Sequence, residues 1–280
     1  MPPARRTVVV FDAESDVSFA KCVGHSRNEK MRHMQATVIC ALVLDASLCL
    51  DAADADRAMA TAEALHWWRD DNTHGANPFA PLLALFDDAA AIVAYNGLGF
   101  DFPLLRKHYA ADAQGQARYV AHRFKCHDPM VRLLHAVDAQ PKLDALLLAN
   151  GLPTKTADGL QAIHMWEANE RDKLRDYCAE DVRLLALLVL RDTVRVPGVG
   201  TVSAAVVAVG PALVARHLSN IAAHASQGEA LQRVLIAAVD ATADADAGAD
   251  AGAGADADAD VSNNADSETA ETARVSADAP

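Results

Sequence analysis

Two short apolar runs, each ending on a break, constrain the fold more than anything else in the chain. Residues 7–11 are β-branched and apolar and run directly into Asp12; residues 91–95 run into Asn96-Gly97, with Gly99 close behind. Apolar runs of this length read as strands buried on both faces, the central members of a covered sheet. Residues 36–44 read as a second strand and 47–50 as a third, pairing with the first as an antiparallel meander. Residues 52–68 read as a helix, with Trp67 and Trp68 as packing groups rather than base-stacking platforms. Residues 72–77 are loop and 78–88 suit a helix with proline near its first turn. Further helices are expected over 102–111, 142–150 and 159–168, and a long one from a cap at Asn169 to about Thr193. An edge strand is expected within 199–209 and a helical end over 211–239. No element is assigned to 112–141. Strands first, then alternating helix and strand, indicate an α/β domain with a central sheet flanked by helices.

Residues 241–280 are mostly Ala, Asp and Gly, with no aromatic residue and no large aliphatic beyond Val261 and Val275. Such a stretch buries too little apolar surface to offset the entropy of ordering it, so a disordered acidic tail is expected. The expected division is 1–200 as the folded domain, 201–240 as an extension and 241–280 as the tail. Eight Asp, two Glu and one Arg give the tail −9 of the chain's −13, leaving 24 basic residues against 28 acids in the body. A mildly acidic body does not advertise a phosphate-binding surface, but a site built of carboxylates is acidic until cations fill it. A tail of this kind suits a protein partner.

Five scattered cysteines suggest no disulfide framework and fit a reducing compartment. Cys22-x2-His25 with His33, or Cys126-His127, offers half of a zinc site without a second pair. The first apolar run is too short for a signal peptide, and the later one at 202–215 is too short to span a membrane. A soluble intracellular protein without a membrane partner is expected.

Chemistry points to three acidic segments. Asp12 and Glu14 are two apart at a strand end, so both side chains leave the same face. Carboxylates held that close repel, and a divalent cation relieves the repulsion. Asp101 lies just past the second apolar run and two residues before Pro103, where a helix cap is the competing role. Asn96 fits a turn residue or a group bracing the site. Tyr177 and Asp181 are one helical turn apart, offset from the stripe of Leu174, Cys178, Val182 and Leu185.

In this order the segments resemble the DEDD exonucleases of the ribonuclease-H-like fold, in the subgroup whose third motif carries tyrosine. Asp12 and Glu14 match the first motif, Asn96-x3-Phe100-Asp101 the second and Tyr177-x3-Asp181 the third. The surrounding text is similar to the 3′–5′ exonuclease domain of family B DNA polymerases and its stand-alone relatives, over roughly residues 7–194. Lys142-Leu143-Asp144 and Gly151-Leu152 through Lys155 resemble the segment before the third motif there. The insert at 16–32 is longer than the pattern, and no polymerase palm follows.

The resemblance implies a ribonuclease-H-like mixed sheet and two divalent ions, Mg2+ or Mn2+. It gives Asp12 the bridging place, Glu14 and Asp181 one ion, and Asp101 the other. Tyr177 would orient the attacking water. Ser15 and Phe100 would grip the terminal nucleotide, and Lys155 a phosphate, with a solvated loop lysine as the alternative. The substrate implied is the 3′ end of a single-stranded DNA or RNA. Readings of other classes are an idle nuclease-fold binding module and a zinc-stapled interaction protein.

Overall fold

The computed structural model describes residues 7–49, 51–155, 159–203 and 206–207. The expectations for 211–239 and for an acidic tail over 241–280 lie outside the described residues.

The chain opens on β1 (Thr7–Ser15), followed by α1 (Arg27–His33), β2 (Ala36–Asp45), α2 (Ala55–Ala60) and β3 (Glu63–Trp68). Next come α3 (Ala80–Asp88), β4 (Ala89–Val93), α4 (Asp101–Leu105), α5 (Ala113–Lys125), β5 (Cys126–His127) and α6 (Pro129–Val137). Then follow α7 (Leu143–Ala149), α8 (Gly159–Glu167), α9 (Arg171–Val189), β6 (Thr193–Val196) and β7 (Gly200–Ser203). The five-stranded sheet has the order β3-β2-β1-β4-β5. β1, β2 and β3 pair antiparallel, whereas β1, β4 and β5 run parallel. It is a mixed sheet flanked by helices, the ribonuclease-H-like arrangement expected.

Side-chain alternation on β1 fixes which helices cover which face. Val8 and Val10 enter one core with Val38, Cys40, Leu174, Cys178, Val182 and Leu185, so α9 lies on that face. Val9, Phe11 and Ala13 enter the other with Leu82, Phe86, Phe102 and Tyr119 from α3, α4 and α5. Phe11, Phe86 and Phe102 are fully buried and in mutual ring contact; burial of each is worth roughly 1.5–3 kcal/mol over exposure. Asp12 and Glu14 share the parity of Val8 and Val10. They are therefore delivered to the α9 face.

Several expectations need correction. Residues 46–49 form a 3-10 turn rather than a strand, because the Asp45 carboxylate accepts from both Ser47 N and Oγ and bends the chain. The third strand lies inside the stretch read as one helix. The helical part of that stretch ends at Ala60, and residues 63–68 pair with β2, burying Trp67. Residues 112–141 hold two helices and a strand. Of these, β5 is two residues long, below any detectable period. α9 begins after Glu170, not after a capping Asn169: Asn169 is left-handed (φ 56°), and its Oδ1 accepts from Arg171 Nε. Residues 200–203 pair with β6 in a separate ribbon instead of edging the main sheet.

Candidate active site

The parallel pairing of β1, β4 and β5 puts their carboxyl ends on one edge of the sheet. That edge is where open α/β sheets take ligands. The acids of the first motif leave β1 there, the Asn96–Asp101 turn follows β4, and Asp128 follows β5.

β4 pairs with β1 only as far as Val10, so Ala13 N–H has no strand partner on that side. The Asp101 carboxylate takes it, Oδ1 accepting at 2.8 Å. Asp101 is the first residue of α4; the cap position belongs to Phe100, whose side chain makes no cap hydrogen bond. Of the two roles open from sequence, the carboxylate thus turns toward β1. It is 1% exposed. Asn96 adopts the left-handed conformation (φ 57°), and a Cβ on Gly99 would stand 2.6 Å from Asn96 Oδ1, so the turn closes tightly on itself.

From the α9 face, Cys178 packs beneath Asp12, its thiol donating to the Asp12 carbonyl at 3.4 Å and lying 3.9 Å from Oδ2. Tyr177 and Asp181 flank it, both buried. Lys155 reaches in from the loop after α7. Its Nζ lies 2.5 Å from Asp181 Oδ2 and 5.7 Å from the centre of the Tyr177 ring. The loop is held by Lys155 N donating to Asp144 Oδ1. Lys155 is an ion-pair partner of the site and not a solvated loop lysine. Ser15 Oγ donates to Val17 O, bending the chain out of β1. Phe100 lies against Phe19, ring centres 6.1 Å apart.

Burial pushes every acid here up. Asp12 is raised, by burial above all, against the pull of Lys155. Glu14 goes well above its usual value through burial, then repulsion from Asp12 and Asp181. Asp101 does so through burial and Asp12, and Asp181 is pushed up to about 7 by the same two causes. Burial works against the Lys155 charge, but Asp12 and Asp181 outweigh it and the ammonium is favoured. Burial and the nearby Glu14 raise Tyr177, keeping it a neutral phenol.

Among the described residues, one ammonium faces four carboxyls, three of them buried and Asp12 half-buried, so the cluster is short of positive charge and the donor set fits a metal ion. Asp12, Glu14 and Cys178 offer donor atoms within 4.8 Å of one another. Asp181 Oδ1 is buried with no hydrogen-bond partner among the described residues. Burial and the neighbouring Cys40 hold the Cys178 thiol well above its ordinary pKa, so it stays protonated. What remains is a hard, carboxylate set.

A pH prediction follows. A carboxyl raised in the fold keeps its proton where the unfolded chain has released it, so its ionisation destabilises the metal-free fold as pH climbs from about 4 to about 7. A divalent ion must displace those protons. Added Mg2+ or Mn2+ is therefore expected to raise the melting temperature more near pH 8 than near pH 5. An equal shift at both would contradict an ion bound by these carboxylates.

Asp128 lies outside the three acidic segments that stand out in the sequence. Buried at the head of α6, it accepts from Met130 N and Val131 N as a helix cap and from Asn96 N and Leu98 N of the turn after β4. Burial raises it to about 6 despite those four donors. The available signal is an Asp-Pro pair opening the apolar-rich stretch 129–137, a cap residue followed by proline in the first turn.

No described helix is long and apolar enough to cross a membrane. No family model and no curated protein matches the chain. Among solved structures it is similar to the family B DNA polymerase from the hyperthermophilic archaeon Pyrobaculum calidifontis, at 17% identity and a TM-score of 0.40. That likeness covers 66% of this chain and 24% of the polymerase chain, so the chain spans about a quarter of its length.

Proposed function

We propose that the protein is a metal-dependent 3′–5′ exonuclease acting on single-stranded DNA or RNA. The observation that carries this reading is the meeting of Asp12, Glu14, Asp101 and Asp181 at one sheet edge, under-compensated in charge and beside a neutral buried tyrosine. Asp12, Glu14, Asp101 and Asp181 would hold two divalent ions, Mg2+ or Mn2+. When bound, such ions lower the pKa of water and stabilise charge on the attacking and leaving oxygens of a phosphodiester.

The chain's own groups do the rest. The Tyr177 phenol keeps its proton and serves as a hydrogen-bond partner that aims a water, not as a base. Lys155 holds Asp181 in place and keeps two protons of its ammonium for a phosphate oxygen. Cys178 supports Asp12 from below. Asn96 shapes the turn that carries Asp101, and Phe100 stands next to that carboxylate for contact with the terminal nucleotide. Ser15 is drawn into its own bend, so its part is to place Glu14.

The test is release of mononucleotides from matched 5′-labelled DNA and RNA strands with Mg2+. Stepwise shortening from the 3′ end, lost on chelation and in Asp101→Ala, is the expected result. Binding without release, or equal products from both proteins, would favour the idle binding module instead. The ratio of the DNA and RNA rates assigns the substrate.

A further inference from the structure

The excursion between β1 and β2 has no part in the catalytic cluster, yet the fold invests in ordering it. Its neck is tied by Asp16 N donating to Gln35 O and Gln35 N donating to Asp16 Oδ1. Inside it, α1 begins with a complete capping box in which Ser26 and Glu29 satisfy each other's backbone. Glu29 also accepts from His25 N, so its carboxylate is spent on backbone donors. Met31 and Met34 are buried in the core shared with α3 and α4.

The excursion docks on the site-bearing turn. Arg27 Nε and Nη2 both donate to Gly99 O, at 3.2 and 3.0 Å, and the same guanidinium lies 5.0 Å from the centre of the Phe19 ring. Phe19 in turn packs on Phe100, the residue before Asp101. Between residues 17 and 34 stand Lys21, Arg27, Lys30 and Arg32, with Glu29 as the acid. This is a basic segment on an acidic body. Lys30 and Arg32 have no ion pair among the described residues. Lys21 lies 3.8 Å from Glu167, both well exposed, a pairing of little energetic weight. Phe19 is half-buried and Val23 is 80% exposed.

Charge complementarity identifies the occupant. A polyanionic strand approaching four carboxylates is repelled unless cations line its path, and a half-exposed ring among cations is the recurring platform for unpaired bases. We propose that residues 17–34 form a strand-gripping rim in which Phe19 stacks on a base and Lys21 and Lys30 neutralise phosphates of single-stranded nucleic acid. This deepens the exonuclease reading and rests on it. It assigns recognition of the strand beyond the terminal nucleotide to a segment outside the catalytic cluster.

The test separates rim from site by substrate length. Lys21→Ala/Lys30→Ala and Phe19→Ala are made in the full chain, with melting temperatures checked against the parent. Binding of a fluorescein-labelled oligothymidylate of about twelve nucleotides is measured by anisotropy in an Asp101→Asn background, where cutting is not expected. Hydrolysis of the 4-nitrophenyl ester of thymidine 5′-phosphate, too short to reach the rim, is measured with Asp101 intact. The double lysine variant is expected to weaken oligonucleotide binding about tenfold, with the log Kd against log salt slope flattened by about 1.4. Phe19→Ala is expected to weaken it about tenfold as well, and the double lysine variant should leave the ester rate unchanged. If the parent hydrolyses the ester and neither variant affects oligonucleotide binding, or both substrates suffer alike, the rim falls and the site stands. A parent that neither binds the strand nor hydrolyses the ester removes the site reading and the rim with it.

Discussion

Asp101→Asn is expected to lower nucleotide release by about a thousandfold or more while leaving the fold intact. The substitution is close to isosteric, and an asparagine Oδ1 still accepts from Ala13 N, which Asp101 Oδ1 does at 2.8 Å. The lost quantity is the negative charge that would hold a divalent ion opposite Asp12, and ion-supplied stabilisation of several kcal/mol corresponds to roughly that factor. Stability should move the other way. Asp101 lies well above its usual carboxyl pKa because burial and Asp12 disfavour its charge. At neutral pH the metal-free fold carries that cost, and the amide removes it. The variant is therefore expected to melt at or above the parent temperature without metal, and to gain less when metal is added. Rate measurements paired with melts in chelator and in Mg2+ check both halves. A variant that loses activity only because it melts lower would point to a structural carboxylate whose work is to hold Ala13 N.

The same chemistry explains what could be read from sequence. A buried carboxylate is costly, so acids placed where apolar runs end are informative before any coordinates exist. Asp12 and Glu14 could be assigned a common face from their spacing alone. Their direction could be assigned only once Val8 and Val10 were known to face α9. Tyr177 and Asp181 were legible as one helical turn, but their burial depends on how α9 crosses the sheet.

The misread elements share a cause: tertiary contacts overrode local composition. Residues 63–68 follow a helix-rich stretch, and what makes them a strand is the open edge of β2, on which Trp67 is buried. β5 exists because His127 can continue the parallel ladder beside Val93, a pairing two residues cannot announce. The excursion at 16–32 could be seen as an insertion, but not as a segment docked on Gly99, since that contact joins residues 72 apart.

Asp128 was hidden for the same reason, and its removal should have the largest effect on stability of any polar change near the site. Its two oxygens accept four backbone N–H groups from two elements, at 3.0 Å from Asn96, 3.0 Å from Leu98, 3.1 Å from Met130 and 3.5 Å from Val131. Asp128→Ala removes a helix cap worth about 1 kcal/mol and strands the Asn96 and Leu98 donors at roughly 1–3 kcal/mol each. The sum, about 3–7 kcal/mol, corresponds to a fall in melting temperature on the order of 10 °C for a domain of this size. Asp128→Asn keeps one acceptor but turns an amide N–H2 toward a backbone N–H, so it should fall between the parent and alanine. Because the stranded donors belong to the turn that aims Asp101, activity well below the melting temperature should also drop, by about 10–100-fold, as for groups that orient metal ligands. An Asp128→Ala protein that melts with the parent would mean the turn after β4 holds its shape through Asn96 and Gly99 alone. Asp101 would then owe its aim to its own helix and not to the neighbouring strand.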